Sequence, residues 1–251
     1  MDYYKSNALY EHLTNINNPK FTFCSGNIWQ LVYGDSNSNP KLLVLLIGIK
    51  QSEIGGLFDP NQSAYRNLKY VSDNSKIPLI VVQFINDVPE IENVYVLKDD
   101  HHFISISLIE LTEIFKNNGL PIKASSTAKY LNDKSSSAYH NWQRNSLGYN
   151  ITVTDIDLWE IQNLIPQSVF ELKRSYINME SWKPYTDDYA NFRLLANLVI
   201  PIGIGFKIIY NKRIKIPFTD IIDPLKIFDV GINPTLSISN GVLVPLNEFT
   251  K

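Results

Sequence analysis

The sequence predicts an α/β protein: a mixed-sheet core in the C-terminal half, preceded by a β-rich α+β domain. In the first half, short β-branched or aromatic runs alternate with turn residues, a pattern typical of strands. In the second half, segments with helix, strand-pair, helix and strand character follow one another, which is the order of an α/β layer with a mixed sheet. Hydrophobic residues make up 44% of the 251 residues, which is enough to bury a sizeable core.

The N-terminal elements are predicted from strand-like runs separated by turns. These runs lie at 21–35, 41–50, 76–86 and 93–98. The segment 108–119 is predicted to be a helix that ends at Gly119, since Pro121 prevents its continuation. We therefore place a domain boundary there, with residues 1–120 as a domain that recognises substrate or partner and residues 121–251 as the second domain.

The second domain has a clearer order of elements. Residues 125–148 are polar with spaced aromatic residues, which predicts helix, loop and a further helical turn. The segments 150–161 and 168–177 are predicted to be two strands joined by a short turn, hence a hairpin. A helical apolar stripe follows at 184–199, and 202–211 returns to strand.

Composition limits the class of protein. The net charge is only −2, which excludes a chain that is basic throughout. Cys24 is the only cysteine in the sequence, so an internal disulfide framework and a cysteine-built zinc site are excluded. The N-terminus lacks the layout of a secretory signal, and the longest apolar run, 42–49, is too short to cross a bilayer as a helix. We expect a soluble cytoplasmic protein without a membrane partner.

Three charged residues lie inside the strand-like runs of the hairpin. Asp157 follows one run, and Glu171 and Lys173 lie inside the next. Because side chains alternate along a strand, Glu171 and Lys173 share a face, and the neighbouring strand can bring Asp157 beside Glu171. Two converging carboxylates repel one another unless a cation lies between them. Mg²⁺ favours one or two carboxylates together with water and phosphate oxygens, so the pattern predicts a divalent metal site.

This pattern resembles the PD-(D/E)xK nuclease superfamily, in which an aspartate lies on one strand of a hairpin and an acid-x-lysine triplet on the next. Asp157 followed by Glu171-Leu172-Lys173 carries the resemblance, which covers about 125–210; Ile156 stands where the nominal motif has proline. The triplet Glu-Leu-Lys is the only acid-x-lysine triplet in the chain, and it lies in an apolar run rather than in a charged helix.

The resemblance implies a restriction-endonuclease-like core and an endonuclease that hydrolyses phosphodiester bonds, in DNA more often than in RNA. It implies Mg²⁺ as the cofactor, with Mn²⁺ as a substitute, bound by Asp157 and Glu171. Lys173 completes the catalytic set by holding the attacking water or stabilising charge at the phosphate. Cleavage of both strands with one site per chain commonly needs two subunits, so a homodimer is a possible assembly.

Three alternatives stay open at this stage. Asp155 competes with Asp157 as the first metal ligand, because the two are predicted to share a face of one strand. The charges of Asp157, Glu171 and Lys173 can instead form cross-strand ion pairs in an interaction protein. A module that keeps the fold and binds nucleic acid without turnover is the third reading, since fold alone does not determine function.

Further residues are predicted to contact substrate. His140 and Arg144 lie four residues apart, so they are neighbours on a helix, and the arginine fork can hold a phosphate. Asn191, with Arg193, lies on the helix after the triplet, where related nucleases often carry polar support. Further cations that can contact phosphates are Lys183, Lys207, Lys212, Arg213 and Lys215.

Overall fold

The chain folds into two compact units, each with its own sheet. A computed structural model describes residues 7–24, 26–99, 101–123, 137–216 and 218–251. Unit 1 contains the chain up to Phe23 and again from Ile156 to Lys251, and unit 2 contains Cys24–Asp155. Both sheets are mixed and both units contain helices, so the predicted α/β class with a mixed sheet is confirmed.

The described residues form six α-helices, thirteen strands and three single turns of 3₁₀ helix. The helices are α1 Ala8–Asn15, α2 Ser63–Ser75, α3 Leu108–Asn117, α4 Ala138–Ser146, α5 Tyr189–Val199 and α6 Leu246–Phe249. The strands are β1 Phe21–Thr22, β2 Ile28–Asp35, β3 Pro40–Ile49, β4 Leu79–Ile85, β5 Asn93–Asp99, β6 His102–Ser107, β7 Ile151–Asp155, β8 Leu158–Gln162, β9 Ile165–Ser175, β10 Gly205–Lys215, β11 Phe218–Ile232, β12 Leu236–Ile238 and β13 Val242–Val244. The 3₁₀ turns are Gln51–Glu53, Thr186–Asp188 and Ile200–Ile202. In this described part of the chain, no helix is both long enough and apolar enough to cross a bilayer.

The sheet of unit 2 has the strand order β6-β5-β4-β3-β2-β7. β3 and β4 are parallel and are connected through α2, whereas the other neighbouring pairs are antiparallel. All residues from Leu42 to Leu46 are fully buried, so both faces of β3 are covered. Phe115 of α3 and Tyr139 of α4 join Tyr33 in the core of this unit. Burial of this apolar surface is the main stabilising contribution.

The boundaries between the two units lie after Phe23 and after Asp155, and not near residue 120, where the sequence predicted one. β7 follows that position in the chain, yet it pairs antiparallel with β2 and so belongs to unit 2. Residues before Cys24 belong to unit 1, because β1 pairs antiparallel with β8. The predicted strand 21–35 is therefore two strands, β1 and β2, in different sheets. Of the predicted helical stretch 125–148, residues 125–136 lie outside the described residues, and α4, Ala138–Ser146, lies in the remainder.

The sheet of unit 1 has the order β1-β8-β9-β10-β11-β12, and β13 also pairs with β11. β8 and β9 form the predicted antiparallel hairpin. β9 and β10 are parallel, and α5 lies in the connection between them. β10 then pairs antiparallel with the long strand β11.

The two faces of this sheet differ in character around β9. Phe170 lies in an apolar cluster with Leu9 of α1 and Phe249 of α6, and Leu172 packs against the same cluster. Glu171 and Lys173 alternate with these residues and so point to the opposite face. There, the Nζ of Lys173 lies 5.4 Å from the ring centroid of Phe192 on α5. The acid-x-lysine triplet therefore presents its charged side chains on the α5 side of the sheet.

Candidate functional site

Asp157 is fixed where the chain enters β8. Its Oδ2 accepts a hydrogen bond of 2.7 Å from the backbone N–H of Leu172 on β9. The hydroxyl of Tyr10, on α1, donates a hydrogen bond of 2.9 Å to the backbone carbonyl of Asp157. Leu158 pairs with Phe170, so continuing the antiparallel register by one residue places Asp157 opposite Glu171. The hairpin thus orients this carboxylate toward the triplet.

Lys173 lies between two carboxylates. Its Nζ is 3.0 Å from Oε1 of Glu171 and 3.1 Å from Oδ2 of Asp188. Glu171 is buried, with 7% of its surface exposed, whereas the Lys173 and Asp188 side chains keep 22% and 31% of theirs. A buried carboxylate needs charged or hydrogen-bonding partners, and Lys173 supplies one of them.

The environment of Lys173 favours its protonated form. Burial lowers the pKa of the ammonium, but the negative charges of Glu171, Asp188 and Asp157, with the hydrogen bond to Glu171, outweigh burial and raise this pKa well above its ordinary value. Lys173 is therefore an ammonium at neutral pH, able to donate hydrogen bonds and to stabilise negative charge but not to accept a proton.

Asp155 does not lie on the same strand as Asp157. It is exposed at the end of β7, in unit 2, opposite Leu31 of β2. The expectation that one strand carries both acids on one face is wrong, because β7 and β8 are separate strands that belong to different sheets. Strand alternation therefore gives no reason to place Asp155 beside Glu171.

His140 and Arg144 lie on α4 of unit 2, whereas the acid-x-lysine triplet lies in unit 1. The Nδ1 of His140 is 2.7 Å from the hydroxyl oxygen of Ser137, the residue that caps α4. The His140 ring also meets Trp29 edge-on, with the ring centroids 5.1 Å apart. These contacts give His140 a structural role at the start of its helix.

Asn191 lies on α5, in the same unit as the triplet, and is partly buried. It is three residues after Asp188 and next to Phe192, the ring beneath the Lys173 ammonium. Residues three apart are neighbours on a helix surface, so Asn191 extends the polar side of α5 beyond Asp188.

Asp188 is a site residue that the sequence analysis missed. It closes the 3₁₀ turn Thr186–Asp188 directly before α5. An acidic residue at a helix start is expected from the helix dipole alone, so no sequence pattern connects Asp188 with Lys173, fifteen positions earlier. The connection arises only because α5 packs on the sheet so that Asp188 and Phe192, at its start, reach the side chain of Lys173.

The oxygen donors of Asp157 and Glu171 are of the type that Mg²⁺ prefers. Mg²⁺ is commonly held by one or two carboxylates, and Asp157 and Glu171 supply two such groups on neighbouring parts of the hairpin. Within 7–24, 26–99, 101–123, 137–216 and 218–251, no group of three or more His, Cys, Asp or Glu residues is arranged to hold a metal ion. Comparisons with protein-family models, curated proteins and solved structures found no match to this chain.

Proposed function

We propose that unit 1 is a Mg²⁺-dependent endonuclease of the PD-(D/E)xK type that hydrolyses phosphodiester bonds in DNA. The observation that carries the proposal is the hydrogen bond from the Leu172 N–H to Asp157 Oδ2, at 2.7 Å. This bond ties the first acid of the motif to the middle of the triplet. Glu171 and Lys173 flank that same Leu172, so the three motif residues meet at one place on the hairpin.

Each side chain has a defined part in this proposal. Asp157 and Glu171 would bind the metal ion, whose chemistry is to lower the pKa of a bound water and to stabilise charge on the phosphate. The Leu172 N–H keeps one oxygen of Asp157 in a fixed direction. The Lys173 ammonium, held by Glu171 and Asp188, would donate a hydrogen bond to the attacking water or to a phosphate oxygen.

A non-catalytic module that binds nucleic acid or protein is the second candidate. The observation that favours it is the position of Lys173, which forms ion pairs with both Glu171 and Asp188. The ammonium of Lys173 pairs with Glu171 and Asp188 and also interacts with the charge of Asp157, so it lowers the repulsion between Asp157 and Glu171 that a metal ion would otherwise offset. In this case Lys173 is part of the folded scaffold, and its removal affects stability rather than turnover.

Cleavage and metal binding measured on the same variants test the two candidates. We expect the wild type to cleave plasmid or single-stranded DNA with Mg²⁺ or Mn²⁺ and not with EDTA. Asp157→Asn and Glu171→Gln should lose both cleavage and Mg²⁺ binding in calorimetry. Lys173→Ala should lose cleavage while it retains metal binding, because both acids remain.

Glu160→Gln is the matched control for the carboxylate variants. Glu160 lies on β8 of the same hairpin, and its Oε1 is 3.0 Å from Nζ of Lys20 rather than near the triplet. The Glu160→Gln variant should bind Mg²⁺ and cleave DNA as the wild type does. Absence of Mg²⁺ binding by the wild type would remove the enzyme proposal and favour the non-catalytic module.

A further inference from the structure

One end of the sheet in unit 1 carries a group of cations. β10 pairs in parallel with β9 up to Lys212 opposite Ser175, and it then continues to Lys215 beyond the end of β9. The cations Arg174, Lys212, Arg213 and Lys215, with Tyr176, are therefore all placed at the carboxyl end of two parallel strands. These five residues are called the basic edge below.

Two arginines of the basic edge share one carboxylate. Arg213 donates to Asp220 on β11 through Nε at 2.8 Å and through Nη2 at 3.3 Å. The Nη1 of Arg174 lies 3.4 Å from the same carboxylate. All three side chains are largely buried, with 8–14% of their surface exposed. One carboxylate therefore bridges two guanidinium groups at this end of the sheet.

The two lysines of the basic edge contact neutral groups. The Nζ of Lys212 donates a hydrogen bond of 2.6 Å to Oδ1 of Asn178. The Nζ of Lys215 lies 4.5 Å from the ring centroid of Tyr176. An amide oxygen and an aromatic ring hold an ammonium in place without cancelling its charge. Both lysines are thus positioned cations that can interact with an anionic ligand.

Exposed apolar groups accompany these cations. Tyr176 is 47% exposed, Ile177 is 41% exposed and Ile216 is 91% exposed. Proteins that bind single-stranded nucleic acid combine a cationic groove that follows the phosphates with aromatic side chains on which bases stack. The ring of Tyr176 lies directly beside the ammonium of Lys215, so a cation and an exposed aromatic ring are neighbours here.

We propose that the basic edge binds single-stranded nucleic acid, with Lys212 and Lys215 on the phosphates and a base stacked on Tyr176. That the bound polyanion is a nucleic acid rests on the proposed function. The positions of the cations do not depend on whether the protein is a catalyst. Arg174 and Arg213, bound to Asp220, hold this end of the sheet in place.

Fluorescence anisotropy with a labelled mixed-sequence DNA oligonucleotide, in EDTA and over a salt series, tests this site without cleavage. We expect wild-type binding to weaken with salt, and Lys212→Ala and Lys215→Ala each to lower the slope of log K against log salt by about 0.7. Tyr176→Ala should weaken binding about fivefold or more at unchanged slope, whereas Tyr176→Phe should bind like the wild type. Thermal melting of each variant shows whether the fold is kept.

Lys207→Ala is the matched control. The sequence predicts a phosphate contact for Lys207 as well, but its Nζ lies 3.3 Å from Oδ1 of Asp229, so this lysine on the same strand already has a carboxylate partner. It should leave the salt slope unchanged. An unchanged slope in folded Lys212→Ala and Lys215→Ala would overturn the proposal, as would wild-type binding to anionic lipid vesicles but not to the oligonucleotide. A third outcome is that the wild type binds the oligonucleotide without cleaving DNA and that Lys173→Ala binds it equally well. That result would refute the nuclease proposal and support nucleic-acid binding by the basic edge.

Discussion

Lys173 forms ion pairs with two carboxylates that lie on different elements of the fold. Glu171 is its neighbour on β9, whereas Asp188 reaches it from the turn before α5. The first contact follows from strand alternation and was accessible from the sequence. The second requires a helix to return across the sheet, and local sequence patterns carry no information about such a contact.

The contact between Lys173 and Asp188 should have a measurable coupling energy. Both side chains are partly exposed, so solvent screening limits the interaction to about 1 kcal/mol. We expect this value from a double-mutant cycle of Lys173→Ala and Asp188→Asn, measured by urea unfolding. A coupling energy near zero would show that Asp188 does not hold the lysine in solution.

Asp35, at the turn between β2 and β3, makes a contribution to folding stability that depends on pH. Slight burial raises its pKa, but hydrogen bonds from Asn39 and Asn37 and the charge of Lys41 outweigh burial, so the folded-state pKa is lowered. A carboxyl group whose folded-state pKa is lowered stabilises the fold above its unfolded pKa, about 3.9, and loses this contribution as pH falls through the folded value.

Asp35→Asn should therefore be less stable than the wild type at neutral pH. The difference should shrink as pH falls below about 4, because the wild-type carboxyl then becomes neutral as well. Thermal melting of both proteins across this range is the measurement. A difference that is the same at neutral and acid pH would show that the charge of Asp35 is not responsible.

At the scale of elements, strands with strong apolar character and helices with clear end signals were predictable. The predicted helix 108–119 is confirmed as α3, Leu108–Asn117, whose start has the capping box of Ser107 and Glu110. α2, Ser63–Ser75, was missed because it is polar overall and its first turn has no side-chain cap. The hairpin of β8 and β9 was predicted from two strand-like runs and a short turn, so the approximate position of the candidate site was predictable too.

The turn between β12 and β13 depends on a glycine that no larger residue can replace. Gly241 has φ +77°, and a Cβ at this position would lie 2.6 Å from a ring carbon of Phe228, which is itself fully buried. Gly241→Ala should therefore be destabilised by backbone strain and by a clash with a ring that has no room to move.

Gly203 allows the two effects to be separated, since it has φ +82° but no atom within 4 Å of its would-be Cβ. The free energy of unfolding of Gly203→Ala should be about 1–2 kcal/mol lower than that of the wild type because of backbone strain alone. For Gly241→Ala it should be lower by about 1–3 kcal/mol more, because the added methyl group also clashes with Phe228. Chemical denaturation of the two variants gives this comparison. Equal losses would mean that Phe228 yields to the added methyl group.

At the scale of the whole molecule, unit 2 is inserted into unit 1 between β1 and β8. A boundary near residue 120 was expected because Gly119 and Pro121 end a helix, but a chain that returns to its first sheet after more than a hundred residues leaves no local signal. Leu9, Leu13 and Phe21, which precede the insertion, belong to the same core as Leu158 and Phe170, which follow it. The N-terminal segment is thus part of the fold of unit 1.

The insertion predicts which fragments fold. Residues 24–155 should fold alone, because their sheet and core are continuous in sequence. Residues 7–23 joined to 156–251 by a short Gly/Ser linker should also fold, since β1 and β8 are antiparallel neighbours with Thr22 opposite Trp159. Residues 156–251 alone should lack cooperative melting; a stable fold of this fragment by calorimetry would contradict the role given to α1 and β1.

The same insertion sets an order of events during synthesis. α1 and β1 leave the ribosome before β8, the strand with which β1 pairs, because β8 follows only after the 132 residues of unit 2, Cys24–Asp155. At about 5–20 residues per second, this delay is on the order of ten seconds, whereas unit 2 already has all its strands. Until then Leu9, Leu13 and Phe21 have no core to enter. A nascent chain of this protein therefore presents these apolar side chains of α1 and β1 to chaperones until β8 and the later strands of unit 1 have been translated.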